Sequence, residues 1–353
     1  MKSKSREEKI LKLILWIYII LCIIIAGLNY GYARNASGEI AKMITWSWHF
    51  YENWIKTIFI IIGGYLTLKI LMNKNTSLRR KNLLGFISAA LVVHIIGPII
   101  LGNTELYFFT MPLPWTTTPL QLLSSESSFY LSRVPVWGIN GISIALVFYV
   151  VYSLAVVIGT LIMGRRWQCS TICLFNGFAA EVFDPVIPLV GKKKKLGNGT
   201  LKIFYFFKWI FFAVAVFFTL YWVLHIVGIY LPGDPKTWGM IENYKYLSGE
   251  LLMAMFFWVA FIGRGYCYYC PLGTVVGFIS KISKQQINTD NTKCISCGKC
   301  DDICPMSIKI KEKAELGKPV VDMNCVGCGR CVDNCPTGTL SYSTKFLNIK
   351  KKD

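Results

Sequence analysis

An all-α membrane bundle of about six helices, followed by a small cysteine-rich α+β domain, is the fold class that the sequence predicts. Three observations lead there. Of the 353 residues 54% are apolar and only 16% charged, far below the charged share of an ordinary soluble domain. The apolar residues gather into runs long enough to cross a bilayer. Twelve of the thirteen cysteines stand in short clusters after residue 168, which suits metal thiolates better than scattered disulfide partners. These features divide the chain into a membrane domain over 1–280, a cysteine domain over 281–345 and a basic tail over 346–353.

With a window of about 19 residues, the apolar runs fall near 10–30, 55–73, 83–102, 141–163, 203–230 and 247–263, the last being the shortest. Lys2, Lys4, Arg6 and Lys9 precede the first run like the charged start of a signal peptide. The run outlasts a signal's apolar core and no small-x-small cleavage site follows, so an uncleaved signal anchor is expected. With that basic end inside, the loops after the second and fourth runs are inside too. They carry Lys74, Arg79, Arg80 and Lys81, then Arg165, Arg166 and Lys192 to Lys195. Segment 104–140 has Arg133 as its only Lys or Arg, against Glu105 and Glu126. The bias predicts a multi-pass protein of the cytoplasmic (inner) membrane with both termini cytoplasmic. All twelve clustered cysteines then lie on the reducing side, where metal thiolates persist. The formal charge of +19 belongs to this orientation, and nucleic-acid binding is not expected.

Cys294, Cys297, Cys300 and Cys304 have gaps of two, two and three residues followed by Pro305, and Cys325, Cys328, Cys331, Cys335 and Pro336 repeat the pattern. This is the frame of a two-cluster bacterial-type ferredoxin: three closely spaced thiolates wrap one cubane, while the fourth, just before proline, crosses to its partner. Two [4Fe–4S] clusters are predicted, one on Cys294, Cys297, Cys300 and Cys335, the other on Cys325, Cys328, Cys331 and Cys304. The small residues Ser296, Gly298, Gly327 and Gly329 let backbone amides approach the sulfurs. A structural zinc site needs four ligands, not a doubled run of four ending in proline. The stretch Lys309 to Asp322, with Gly317, Pro319, Val320 and Val321, reads as a small hairpin or strand connection.

Upstream, one phrase is written twice. Gly164-Arg165-Arg166-Trp167-Gln168-Cys169 leads to Cys173, Phe175 and Gly177. Gly263-Arg264-Gly265-Tyr266-Cys267 leads to Cys270, Pro271, Leu272 and Gly273. Each copy, 164–177 and 263–273, is a helix end, Gly-Arg, an aromatic and two cysteines. Arginine beside a thiol favours the thiolate that ligates metal. Cys169, Cys173, Cys267 and Cys270 are therefore candidates for one additional metal or iron–sulfur site; redox-active or partner-facing thiols and inert cysteines stay open as alternatives.

On these motifs the chain resembles the polyferredoxin-like membrane proteins of the NapH, MauN and NosR group, which combine a multi-span core, Gly-Arg-aromatic-Cys repeats and a ferredoxin tail. The resemblance runs from about residue 140 onward; the first three spans match only in being apolar. It implies electron carriage between membrane quinol and periplasmic or cytoplasmic redox partners, or support for maturation of a partner reductase. The family writes each repeat with three residues between the cysteines and proline after the second. Here Cys169 and Cys173 keep the gap but are followed by Leu174, whereas Cys267 and Cys270 keep Pro271 but close to a gap of two.

Weaker signals concern the membrane core. His94 and His225 fall within predicted spans, but an axial offset of very roughly 10 Å at about 1.5 Å per residue argues against a bis-histidine haem. Hydrogen bonding within the bundle is expected for each, with quinone contact as the functional alternative. His49 is expected at the interface. Segment 111–121, with Met111, Pro112, Pro114, Trp115 and Pro119, reads either as a rigid lid of the kind that borders quinone sites, with Trp115 a contact, or as a re-entrant or connecting segment. Cys22 is expected as a small buried apolar residue. No ionisable pair is expected at mid-span, which disfavours a transporter. No nucleotide loop, Rossmann fingerprint, nucleophile elbow or haem-attachment motif is present. The function expected is an electron-transfer subunit of a quinol dehydrogenase-type or other oxidoreductase system. It relays electrons between the quinone pool or a membrane partner and a redox protein; the alternative is a maturation factor that supplies electrons or metal to a partner reductase.

Overall fold

Leucine, isoleucine and phenylalanine saturate the long apolar runs, and with no water to satisfy backbone amides such runs close into helices. The computed structural model describes residues 5–33, 37–72, 76–191 and 196–350. Lys2, Lys4, Lys74 and Lys192 to Lys195, which the charge bias used, lie outside the described residues, as do the last three residues of the tail. Among the described residues five helices are long and apolar enough to cross a membrane: α1 (Arg6–Ala33), α2 (Glu39–Met72), α3 (Ser77–Leu101), α4 (Ser128–Met163) and α5 (Asn198–Ile226). The Ser5 hydroxyl accepts the Glu8 amide at 3.2 Å and opens α1 with Glu7 and Glu8 in its first turn. In α4, Pro135 removes a donor and Gly138 turns to φ +63°, so the helix bends there and its apolar part begins close to the expected residue 141.

The run expected as a sixth span, 247–263, belongs to a helical stretch α6 (235–260) made of Pro235–Lys245, the π-helical Tyr246–Leu252 and Met253–Ala260. It does not join the five apolar spans, because Glu242, Lys245 and Glu250 interrupt it. Each charge has a partner: Lys245 Nζ lies 3.0 Å from Glu250, and the Glu242 carboxylate accepts the Gln121 amide at 2.8 Å. A second pair, Lys56 and Glu52 at 2.7 Å, lies inside α2. Pairing is what makes such burial tolerable. Cys22 is buried as expected.

Glu7 lies 3.0 Å from Lys69, tying the start of α1 to the end of α2. The Tyr342 hydroxyl donates to the Met163 carbonyl at 2.6 Å, and Asp333 caps the start of α3. The start of α1, the end of α2, the start of α3, the end of α4 and the cysteine domain therefore share one end of the bundle. There residues 164–190 fold back among the helices. The Thr67 hydroxyl donates to the Val182 carbonyl at 2.5 Å, Phe178 lies 4.1 Å from Tyr18, and Gly63 and Gly85 leave room for Phe183 and Thr171. From the opposite end segment 104–121 also turns inward, burying Leu106, Phe109, Met111, Trp115 and Thr117. It packs as a re-entrant connection, not a surface lid.

α7 (Pro271–Ile282) leads into the cysteine domain, where β1 (Gln286–Thr289), β2 (Leu340–Ser343) and β3 (Asn348–Lys350) form an antiparallel sheet in that order. Ile287 pairs with Tyr342 and Tyr342 with Ile349. The third strand thus draws part of the expected tail into the domain. Two short helices, α8 (Lys299–Ile303) and α10 (Arg330–Asn334), follow the two cysteine runs. Between them the stretch expected as a small hairpin or strand connection opens with the helix α9 (Lys311–Glu315) and closes with Val320 bridged to Ile287, a strand connection rather than a hairpin.

Candidate functional site: three cysteine pockets

The two cysteine runs fold alike because they place left-handed residues alike. Ser296 and Gly298 take φ of +54° and +72°, and Gly327 and Gly329 take +64° and +72°, each pair turning the backbone just before a short helix. Cys294, Cys297, Cys300 and Cys335 line one cavity. Cys304, Cys325, Cys328 and Cys331 line another. Each cavity draws three cysteines from one run and the last from the other. Among the described residues no three His, Cys, Asp or Glu side chains converge as one metal ion requires. The thiols surround space instead, a donor set that fits a cubane better than a zinc ion held about 2.3 Å from each sulfur.

Burial pushes the thiols of Cys304 and Cys325 up to about 12 and that of Cys300 to about 11. Such thiols keep their protons until a cation replaces them. Burial acts on Cys335 in the same direction, but hydrogen bonds from Thr337 and Thr339 outweigh it and hold this thiol below the usual range. The two cavities also differ in exposure. Cys297 is exposed, whereas Cys328 and Cys331 are buried.

That burial comes from the bundle. The Ser170 hydroxyl donates to the Val326 carbonyl at 2.7 Å and Asn82 Nδ2 to the Cys328 carbonyl at 3.0 Å. Arg330 reaches Asp184 and the Ala180 carbonyl, both at 2.7 Å, and Arg79 meets the other Asp184 oxygen at 2.6 Å. Residues 325–330 thus face the helices, and residues 294–300 face away.

Cys169, Cys173, Cys267 and Cys270 line a third cavity together with Met111, Arg165 and Tyr266. The doubled motif places them there on short turns folded into the bundle. Arg165 Nε donates to Cys169 Sγ at 3.2 Å, and its Nη1 donates to the Met323 carbonyl at 2.7 Å. Asn176 Nδ2 donates to Cys267 Sγ, and the Gly273 amide to Cys270 Sγ at the start of α7, both at 3.3 Å. Arg264 donates to the Cys169 carbonyl at 2.9 Å and pairs with Glu181, both side chains buried. Arg264 and Arg165 act on the Cys267 thiol in the expected direction, but burial is the larger effect at this site. Burial raises Cys267 although Arg264 opposes it, raises Cys173 to about 12, and raises Cys270 well above the usual range.

The three residues expected near a quinone are not brought together. His94 is buried, stacks on Tyr107 at 6.0 Å, and has neither ring nitrogen hydrogen-bonded among the described residues. His225 Nε2 lies 3.5 Å from Glu126. Trp115 Nε1 donates to the Tyr266 hydroxyl at 2.5 Å, next to the third cavity. Glu181 and Asp184, which hold the docking arginines, escaped the motif reading. Their signal was two acidic residues in an otherwise basic segment.

A family profile described as a 4Fe-4S dicluster domain matches residues 286–336, which contain all eight tail cysteines. An uncharacterized protein of Methanocaldococcus jannaschii is 27% identical over 205 residues, 58% of this chain and 74% of its own length. Another from the same organism is 29% identical over 163 residues, 45% of this chain and 66% of its own. YccM of Escherichia coli, a protein named for electron transport, is 39% identical over 51 residues, 14% of each chain. No solved structure matches the chain. A 4Fe-4S domain thus closes a largely helical membrane chain.

Proposed function

We propose that the protein is a membrane-bound electron relay in which the three cysteine pockets stand in a row. The pocket of Cys169, Cys173, Cys267 and Cys270 lies toward the bundle core. The inner pocket of Cys304, Cys325, Cys328 and Cys331 docks against it, and the outer pocket of Cys294, Cys297, Cys300 and Cys335 opens to solvent. The observation that carries this reading is Arg165, which touches Cys169 Sγ and also the Met323 carbonyl two residues before Cys325. Bound [4Fe–4S] clusters in the inner and outer pockets, with a further iron–sulfur or metal site in the third, supply one-electron steps. The chain's own part is to space the pockets, exclude water from the inner one and leave Cys297 exposed to a redox protein. The match to a 4Fe-4S dicluster domain and the likeness to a protein named for electron transport support this reading.

The membrane-side partner in this proposal is a quinone, as the resemblance to the NapH, MauN and NosR group implies, and the end bearing the cysteine domain is cytoplasmic. The clustering of Arg79, Arg80, Arg165 and Arg166 at that end supports the orientation. The test is anaerobic iron and acid-labile sulfide determination on the full chain. About eight iron atoms are expected from the inner and outer pockets, with an excess that disappears in Cys169→Ser and Cys267→Ser. Zinc in place of iron, or iron below that level after anaerobic purification, overturns the relay.

A further inference from the structure

We infer that the third cysteine pocket is built for a metal centre of net negative charge, with Arg165 and Lys208 as its counter-ions, and that these two cations make it the most readily reduced centre of the row. The inference rests on the relay proposed above and gives its membrane end a charge and a rank.

Arg165 and Lys208 are only 2% and 4% exposed. Arg165 follows the end of α4, Lys208 lies on α5, and the two reach consecutive residues of the cysteine domain. Arg165 Nη1 donates to the Met323 carbonyl at 2.7 Å and Lys208 Nζ to Asn324 Oδ1 at 2.9 Å. Neither cation forms an ion pair among the described residues. Neutral acceptors replace the water around a buried cation but supply no counter-charge, so such a group is unfavourable unless something else does. What surrounds Arg165 is sulfur. Its Nε donates to Cys169 Sγ at 3.2 Å, and while burial works against its charge, Cys169, Cys267 and Cys270 work for it. Lys208 lies within the field of Arg165 and Cys270.

The inner pocket is balanced differently. Arg79 and Arg330 pair with the two oxygens of Asp184, and Arg166 lies in the field of Asp333. Asp322, three residues before Cys325, acts on Cys304 and Cys325 and also reaches Lys208. Around the inner pocket Arg79, Arg166 and Arg330 thus meet Asp184, Asp322 and Asp333. Around the third pocket Arg165, Arg264 and Lys208 meet Glu181, with Asp322 shared between the two sites. The surplus of positive charge falls on the third pocket. Lys299 and Lys311 line the outer pocket, but water reaches and screens them.

Four thiols that keep their protons leave Arg165 and Lys208 without a counter-charge. Four thiolates outweigh the charge of a divalent ion or of a cubane core, so the loaded pocket is anionic and neutralises the two cations. Among the described residues the sulfurs do not converge as a single ion requires, which favours a cluster. Reduction adds one electron, exchanged with the inner pocket, and makes or breaks no bond. The added negative charge is stabilised most where the surplus of buried cations is greatest.

The experiment is an EPR-monitored dithionite titration of the full, iron-loaded chain in detergent, the third signal being the one that Cys169→Ser removes. Its midpoint is expected above those of the two tail signals. Lys208→Gln should lower it by about tenfold in the reduction equilibrium, about 59 mV for one electron, and leave the outer signal in place. Lys208→Arg should keep the wild-type midpoint. If Lys208→Gln fails to load iron, Asn324→Asp takes its place: it retains the cation, sets a carboxylate on it, and should lower the third midpoint in the same direction. A third midpoint that is unchanged in the loaded variants, or that lies below the tail signals in wild type, overturns the charge assignment and leaves the relay standing. A wild-type chain that shows the tail signals alone, with iron for two clusters only, overturns the third centre of the relay itself.

Discussion

The carboxylate of Asp333 accepts the backbone amide of Arg79 at 3.0 Å, and that of Leu78 at 3.2 Å with its second oxygen. A residue two positions before the last cysteine thereby caps a membrane helix. The first amides of α3 have no partner within the helix, and the dipole there favours a negative charge. Closing the helix and docking the cysteine domain are one event.

Asp333→Ala should therefore weaken docking by about 1–2 kcal/mol, the usual cost of a lost cap. Asp333→Asn, which keeps an acceptor, should lose less. Thermal unfolding in detergent, followed by loss of the iron–sulfur absorbance, measures this; equal midpoints for Asp333→Ala and wild type would mean that the cap does not hold the domain.

Arg264 and Glu181 form a buried ion pair beside the third pocket. Removing one partner leaves a charge buried without its counter-ion, at a cost of about 3–5 kcal/mol. Arg264→Gln and Glu181→Gln should each reduce stability strongly, and the double substitution by clearly less than their sum. Additive losses in a double-mutant cycle on unfolding would show that the pair is not coupled.

Cys297 is exposed and Cys328 is buried against the bundle, so the two tail pockets should differ in access to solvent. In dithionite-reduced protein a soluble gadolinium chelate should enhance relaxation of one iron–sulfur EPR signal and spare the other. The signal that Cys297→Ser perturbs should be the enhanced one. Equal enhancement of both would contradict a solvent-facing outer pocket and a bundle-facing inner one.

What the sequence made legible was local. Gaps of two and three residues set which cysteines share a loop, and apolar runs set five of the helices, because both signals lie within one turn or one window. The rest depends on distant partners. The pairing of Glu250 with Lys245 needs a π-helical turn and a buried setting that hydropathy averages away, so α6 read as an apolar span. Glu181 and Asp184 meet Arg264 and Arg330 across 83 and 146 positions, beyond any motif. The pairing of His49 with Glu105 likewise depends on a segment whose inward turn only packing reveals.

Gly327 and Gly298 are left-handed glycines of the two corresponding cysteine loops, which have different neighbours, and this makes them a paired test of docking. A Cβ at Gly327 would lie 2.7 Å from Arg166 Cβ and 3.0 Å from its backbone nitrogen, so the loop must leave the bundle to accept it. A Cβ at Gly298 would meet only Lys311 Cδ, at 4.0 Å. Both substitutions carry left-handed strain of about 1–2 kcal/mol, but only Gly327→Ala adds a clash with the membrane domain. Gly298→Ala should keep full iron content with a modestly lower unfolding midpoint. Gly327→Ala should expose the inner pocket, and about four iron atoms should be lost on exposure to air. Iron analysis before and after aeration reads the difference. Parallel losses from both variants would mean that the 325–331 loop gains its protection from its own turn and not from the helices above it.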